Sequence, residues 1–552
     1  MKSTFKSLLL FTLISLVLLS CKTSNENKNN FVVIGMNADI ETLNPLFIMQ
    51  ESESNISELI YLGLVGHDWD NSTGNVTSYP LLAKELNWNN DSTSITITLN
   101  DAKWSDGTVV SSDDVVFSFD LYSDPKVQSR FFGIFKNYYT KPDLSIDLQK
   151  SFTVISQNQF KINFIPQGTP SYFDFDMPIV PKHIFTKIKR EELATSDINF
   201  KPVGCGPFML ETWNKSQNIK LIKNKKSFIK TDESIHSIIF KIIPDYNSRI
   251  TQLKKGELDF AQNIRPEDVS GLKELNSFNI VARKGRIYDY LGLNNIDPLK
   301  SGKTSNQYPN KYFGNLNIRK ALALAINRQS ILKEFLLNNG ELMITPIAPI
   351  FKSYFDESLL PINYNPSEAK NILIKEGWID KNGDGILEKD KNKFSFTISV
   401  PAGNPLRNYS ATIIQNNLKS IGIETKLEVL EPNIFFQKMF KKQLDAWIAG
   451  WGVPIPIDLK PYWYSDPQIG NANVYSYKNP SIDNILLKLE TKIHGNEKSS
   501  LIKEFQKIIY NDQPVVFLYW IDDLVAVSKR IENVQINPLG AIQKCWSWKL
   551  SE

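Results

Sequence analysis

Cysteine and histidine are scarce in this chain. Among 552 residues there are three cysteines and four histidines: His67, His183, His236 and His494. Only two cysteines, Cys205 and Cys545, lie in the body of the chain, too few for a zinc site, and no histidines stand at metalloprotease spacing. A dominant charge is missing too. Lys and Arg number 63 against 59 Asp and Glu, a formal net charge of +4 with no basic block, which argues against nucleic acid as a partner. No Gly-x-Ser-x-Gly elbow occurs. Acidic pairs such as Asp113/Asp114 and Asp522/Asp523 are adjacent in sequence, so they do not face each other as a catalytic pair would. Beyond the N-terminus no apolar run reaches membrane-span length. Together these absences point away from an enzyme, a resident metal or a cofactor.

Two partial motifs stop short of a site. Ser301-Gly302-Lys303-Thr304 resembles the end of a phosphate loop, but Asp297 stands where the first glycine belongs, and Pro309 and Gly314 interrupt the following helix. Asp380-x-Asn382-x-Asp384-Gly385 copies half of a calcium loop, yet position twelve is Lys391 and a strand follows. The favoured reading is an Asx-rich turn opening a hairpin, with a weak calcium site as the alternative.

What is present begins at the N-terminus. Lys2 and Lys6 precede an apolar run, Leu8–Leu19, which ends at Ser20-Cys21. This is the layout of an export signal, 1–20. Leu18-Leu19-Ser20-Cys21 resembles a bacterial lipobox, which would make Cys21 the lipidated first residue, followed by a polar tether, 21–30. The alternative is a plain secretory signal. In an exported chain Cys205 and Cys545 either pair or remain two buried thiols.

At 552 residues, two to four domains are expected. Phe31–Ile34 reads as a strand, and Ser52–Leu64 as a helix burying Ile56, Leu59, Ile60 and Leu64. Ile95, Ile97 and Leu99 alternate with polar residues as in a half-buried strand. Ser112 reads as a helix cap, with Asp113 and Asp114 in the first turn and Val115, Val116 and Phe119 on the buried face. Ile318, Leu322, Ala325 and Ile326 form a helical stripe, with Arg319, Lys320 and Arg328 off it; Ala369, Ile372 and Leu373 form another, ended by Gly377. Strands such as Phe394–Val400 and Glu424–Leu430 alternate with these helices, so the chain is α/β with mixed sheets.

The densest stretch is Leu444–Pro467, with three tryptophans, two tyrosines, four prolines and three aspartates. Ala446–Gly450 reads as a buried strand. Gly450 and Gly452 flank Trp451, and prolines hold the next segment extended. Two readings stand: a rigid loop presenting indole, phenol and carboxylate to a ligand, or an aromatic-rich core loop.

Several segments, in order, resemble the extracellular solute-binding proteins of family 5, the peptide-binding components of ABC importers. Ile40–Pro45 is similar to that family's opening turn, and Leu82–Glu85 with Trp104–Ser118 to its signature. Lys201–Phe208 (KPVGCGPF) is similar to its Pro-Val-Gly loop, with Cys205 in place of threonine. Leu253–Asp259, Tyr290–Asn294, Ile318–Ile331, Pro366–Trp378, Asp445–Trp451 and Asp512–Trp520 continue the likeness.

The resemblance implies a type II periplasmic-binding-protein fold: two hinged lobes built from three domains. Domain I would comprise 31–62, 200–287 and 515–552, domain II 63–199, and domain III 288–514, with the hinge near Tyr288–Asn294 and Pro514–Tyr519. It implies a monomer that carries a peptide to a permease and ATPase complex from outside the cytoplasm, held at the membrane by lipid on Cys21. An oligosaccharide or a metal chelate is the alternative cargo, and an adhesin or sensor lipoprotein the alternative role. Relatives grip the peptide amine with an aspartate shortly after Gly-Trp. Pro454 stands there in this chain, and Asp458 is the nearest substitute. Trp451, Gly450 and Trp463 would line the cleft, Arg407 would meet a ligand carboxylate or else be a solvated cation, and Glu51 and Ser52 would face the ligand from the other lobe.

Overall fold

The computed structural model describes residues 30–297, 308–493 and 496–551. The lipobox cysteine Cys21, His494 and the Ser301–Thr304 stretch lie outside them. The chain opens with β1 (Phe31–Met36) and α1 (Glu51–Ile60). The α1 stripe is as read, with Ile56, Leu59 and Ile60 buried. The helix ends before Leu64, whose carbonyl instead accepts the N–H groups of Leu81 and Ala83. At its start, the Glu53 carboxylate accepts the N–H groups of Glu41, Met49 and Gln50, which fastens the preceding turn to the helix.

An inserted unit follows. A hairpin, β2 (Val65–Asp70) and β3 (Asn75–Pro80), leads into an antiparallel sheet of β4 (Ala83–Trp88), β5 (Ser94–Leu99), β6 (Phe152–Ser156) and β7 (Gln159–Asn163), in the order β4-β5-β7-β6. Ile95, Ile97 and Leu99 are buried on β5, as the alternation requires. Helix α2 (Ser112–Ser123) starts one residue from the expected cap: Ser111 is the N-cap, and its N–H and hydroxyl donate to Asp114. Val115 and Phe119 are buried, whereas Val116 is half-buried.

The chain then returns through β8 (Phe208–Asn214), β9 (Asn218–Lys223), β10 (Ser237–Ile242), α3 (Tyr246–Lys254) and β11 (Phe260–Ala261), and enters the long strand β12 (Phe278–Leu293). The second lobe contains α4 (Leu316–Ala325), α5 (Arg328–Glu334), β13 (Gly340–Leu342) and α6 (Pro366–Lys375). A two-stranded ribbon, β14 (Glu388–Lys389) and β15 (Asn392–Lys393), precedes β16 (Ser395–Pro401), α7 (Pro405–Ser420), β17 (Glu424–Leu430) and α8 (Pro432–Phe440). Then come β18 (Ala446–Gly452), α9 (Glu497–Asp512) and the second long strand, β19 (Val516–Ser528). The ribbon is opened by the Asx turn expected at Asp380, whose carboxylate accepts the N–H groups of Gly383 and Gly385. Lys393 pairs with Asp384.

Eleven strands form one mixed sheet, in the order β17-β16-β18-β12-β19-β11-β1-β10-β9-β8, with β13 also on β19. β12 and β19 run through both halves of it. Phe278–Arg283 pairs with Ser528–Asp523 beside β11. Past a register shift, Ile287–Leu291 pairs with Ile521–Val516 and also with β18. The pairing breaks at Lys284–Arg286, a few residues before the stretch read as the hinge. Three residues there face the single Asp522 across the ladder, a bulge that bends the strand.

Arg319 of α4 and Arg328, the first residue of α5, both read as off the apolar stripe, are nevertheless buried. Arg319 donates to the carbonyls of Phe313, Asp512 and Gln513, and Arg328 to those of Met343, Phe517 and Ile362. Burial lowers the Arg328 guanidinium to about 10. Each arginine ties a helix start to the end of a neighbouring segment.

In the first lobe Asp259 does similar stitching. Its carboxylate accepts the Val33 N–H at 2.8 Å and the Arg530 Nε at 2.6 Å, and Arg530 also donates to the Phe31 carbonyl. Asp259→Ala would remove the carboxylate that Arg530 and the Val33 N–H share at the junction of β1, β11 and β19. A loss of about 3 kcal/mol is expected, measured as a lower urea midpoint at unchanged slope.

Candidate functional site

Two cavities stand out, one lined by each lobe. The larger, about 250 Å³, is lined in the first lobe by Gln50, by Glu51, Ser52 and Asn55 of α1, and by Gln262 and Asn263 after β11, over an apolar floor that includes Ile34 and Phe240. The smaller, about 10 Å³, belongs to the second lobe, between Tyr288 of β12 and the segment Trp451–Trp463. Arg286, at the break in β12, connects the two sides. It donates to the Val453 carbonyl at 2.8 Å and to the Pro538 carbonyl at 3.2 Å.

Glu51 and Ser52, expected to face a ligand, line the larger cavity. Glu51 is not free: Arg283 meets its carboxylate at 3.0 Å and Asp523 at 2.9 Å with its other nitrogen. Burial pushes the Asp523 carboxyl above its usual range, and Arg283 draws it back. Lys284, next along, pairs with Asp522 and Glu341. The adjacent aspartates thus serve different cations. Glu58, also on α1, is exposed and accepts a hydrogen bond from the Ser54 hydroxyl at 3.1 Å.

Trp451 lies half-buried on the second-lobe wall, edge-on to Phe440 and Tyr462 with ring centroids 6.3 and 5.1 Å away. Its indole N–H and that of Trp447 turn toward the buried Tyr290 hydroxyl, without a bond of ordinary geometry among the three. Gly450 explains itself by packing. A Cβ there would stand 2.4 Å from Asp289 Oδ1 and 2.5 Å from the Tyr288 carbonyl, so the glycine admits a neighbouring strand and its ion pair. That pair includes Arg407. Its Nη2 lies 2.7 Å from Asp289 Oδ1 and its Nε 3.1 Å from Oδ2, with the carboxylate only 1% exposed. Burial pushes the Asp289 carboxyl up and Arg407 offsets it. In this conformation the guanidinium is occupied by the protein and is no solvated cation.

Asp458 reaches the edge of the smaller cavity, but its carboxylate accepts the Lys460 N–H at 3.1 Å, the local-turn arrangement. Trp463 is 1% exposed and packs on Tyr475, Tyr477, Phe505 and Phe517. Trp463 also borders the smaller cavity, from its buried side. The aromatic-rich stretch thus runs from a half-buried indole at Trp451 to a core indole at Trp463. Cys205 and Cys545 are buried free thiols, not a bridge. Burial pushes the Cys205 thiol up to about 12 and Cys545 further, so both are inert.

Arg283, Arg286, Gln262, Asn263 and Tyr462 were not picked out from the sequence. A signal existed for the first two: Arg283-Lys284-Gly285-Arg286 places three cations and a glycine inside an otherwise strand-like run.

The comparisons follow this geometry. Residues 77–473 match the family described as bacterial extracellular solute-binding proteins, family 5 middle. The chain is 30% identical over 458 residues to the oligopeptide-binding protein AppA of Bacillus subtilis, covering 80% of this chain and 79% of that one. The structure of that AppA with a nonapeptide superposes with a TM-score of 0.73 at 25% identity, over 95% of this chain and 100% of the other. NikZ of Campylobacter jejuni, solved with Ni(L-His), gives 0.72 at 24% identity over 94% and 99%. The fold is that of the type II periplasmic binding proteins, and the relatives bind solutes rather than transform them. The chain belongs to family 5 of the bacterial extracellular solute-binding proteins.

Proposed function

We propose that this protein captures oligopeptides between its lobes and delivers them to the permease and ATPase of an ABC importer. One observation carries the reading. Polar groups on a first-lobe cavity wall (Glu51, Ser52, Asn55) and aromatic rings on a second-lobe one (Trp451, Tyr462) stand on lobes that Arg286 links through the Val453 and Pro538 carbonyls, in a chain 30% identical to an oligopeptide-binding protein over four-fifths of its length. Amide edges suit the first wall and side chains the second. A ligand touching both walls stabilises the closed arrangement by its differential affinity for it. The protein acts as a monomer outside the cytoplasm, and lipid on Cys21 holds it at the membrane. Cys21→Ser would release it into the medium or periplasm in fractionation.

Native mass spectrometry of the protein as purified tests the cargo. A ladder of peptide masses is expected; a single oligosaccharide or chelate mass overturns the peptide reading. Loss of peptide uptake on deletion is likewise expected, and intact uptake would favour the adhesin or sensor role.

Three substitutions assign the residues. Trp451→Ala should weaken binding of a nonapeptide mixture by at least 10-fold, since a central aromatic contact is worth about 2 kcal/mol or more. Pro454→Asp restores the carboxylate that relatives use. It should favour free-amine over N-acetylated peptides by about 10-fold, the worth of one charged hydrogen bond. For Arg407, held by Asp289, Arg407→Met should lower stability while leaving the preference between free-acid and amidated peptides unchanged. A changed preference in calorimetric titrations would return Arg407 to the ligand.

A further inference from the structure

The lobes touch at a second place, well away from β12 and β19 in sequence. The tip of the β2–β3 hairpin, in the inserted unit, lies on the Ile350–Ser353 loop of the second lobe. Ser353 donates to the Thr73 carbonyl twice, from its N–H at 2.9 Å and from its hydroxyl at 2.9 Å. Lys352 Nζ donates to the Asn71 carbonyl at 2.6 Å, and Asn75 Nδ2 to the Ser353 hydroxyl at 3.0 Å. Trp69, on β2, packs against the second lobe's core and meets Phe351 edge-on at 5.5 Å. The approach is close: a Cβ on Gly74, at φ +67°, would stand 2.0 Å from the Ile350 carbonyl oxygen.

Both sides of this contact are built in advance. On the hairpin, the Asp70 carboxylate accepts the Ser72 N–H, the Ser72 hydroxyl and the Thr73 hydroxyl, which fixes the turn. On the other lobe, Ser499 of α9 donates to the Ser353 carbonyl. The buried Gln506, one residue of the same helix, donates to the Tyr354 carbonyl at 2.7 Å and accepts the Asp356 N–H at 3.2 Å. Neither partner needs ordering when they meet, so little conformational entropy opposes the contact. Polar hydrogen bonds around a single aromatic contact make a surface that can also part into water at modest cost.

We infer that the β2–β3 hairpin is a latch: its tip closes a ring of inserted unit, first lobe and second lobe around the cleft, and must leave Ile350–Ser353 before the cleft can open. The first lobe and the inserted unit share one core, so they move together. The bulged strands β12 and β19 then form the hinge on one side, and the hairpin tip the catch on the other. This inference rests on the two-lobed reading of the cleft but not on what the cleft holds.

Two sets of variants test it. In Thr73→Cys/Ser353→Cys, oxidation should lock the catch. The wild type is the control, since its described cysteines are buried. By small-angle scattering on ligand-stripped protein, the oxidised variant should stay compact and the reduced one should expand like wild type. Exchange of a fluorescent nonapeptide should stop on oxidation and resume on reduction. Conversely, Lys352→Ala/Asn75→Ala removes two bonds without touching either cavity. It should raise the peptide's dissociation rate roughly 5- to 20-fold and enlarge the empty protein. Gly74→Val should do the same more strongly, with urea unfolding showing that it still folds. An oxidised variant that exchanges peptide at the wild-type rate, or loosened variants with unchanged scattering, would overturn the latch. Failure of every form to bind any peptide would count against the cargo reading alone, because the scattering result stands without ligand.

Discussion

The pairing of β12 with β19 is the constraint from which the rest of the molecule follows. These are the only described elements that extend through both halves of the large sheet, and every strand of either lobe's share of it is attached directly or through neighbours to one of them. A continuous ladder would make the two lobes one rigid body. The bulge at Lys284–Arg286 prevents that, because the unpaired residues let the strand change direction without breaking the ladder on either side. The charges gathered there settle how far it bends. Arg283 reaches one way to Glu51 and Asp523, and Lys284 the other way to Asp522 and Glu341. Each aspartate is partly desolvated, so losing its cation is costly, and the arrangement favours discrete positions over free swinging.

The same economy governs the second-lobe wall. A buried carboxylate, Asp289, lies under Gly450 and is neutralised by Arg407. The backbone of β18 lies close over that pair because residue 450 has no side chain, and this places Trp451 at the surface with Trp463 and Trp447 behind it. An arginine near a ligand site is easily read as a ligand contact. Here its forked donors match an internal carboxylate in two bonds, so its effect on any guest passes through the position of the strand. The distinction separates a residue that sets affinity from one that sets the shape in which affinity is expressed.

Much of the fold was legible because local patterns and tertiary structure agree. The β5 alternation, the α1 and α4 stripes, the Gly377 stop and the span of β17 all appear as written in the residues. What was not legible depended on partners distant in sequence. Arg319 and Arg328 look like surface cations beside their own helix; their burial depends on carbonyls outside it, among them ones about 190 residues away. Trp463 and Trp451 are indistinguishable as letters; Trp463 is buried because Tyr475, Tyr477, Phe505 and Phe517, all later in the chain, pack on it, whereas Trp451 at the end of β18 stays half-buried. The ladder shifts register twice, between Arg283 and Ile287 and, inside the stretch read as the hinge, between Asp289 and Tyr290, and a register between two strands is not written in either one alone. Arg283-Lys284-Gly285-Arg286 held the clue, since three cations in a strand need three separate anions or carbonyls and a straight ladder has no room for them.

A hinge with a catch also limits how strong either can be. A trap whose closed form is too stable when empty shuts out its guest, and one whose closed form is too rare lowers apparent affinity by the fraction that is competent. The hairpin contact has the right scale for this balance: four hydrogen bonds between small polar groups and one edge-on aromatic pair, each worth about 1 kcal/mol or less net of water. The ion pairs at the bulge rest on partly desolvated Asp522 and Asp523, whereas the hairpin contact is made of groups that water can readily replace. Placing the reversible contact on an inserted unit, away from both cavity walls, lets closure be tuned without altering the surface that reads the guest.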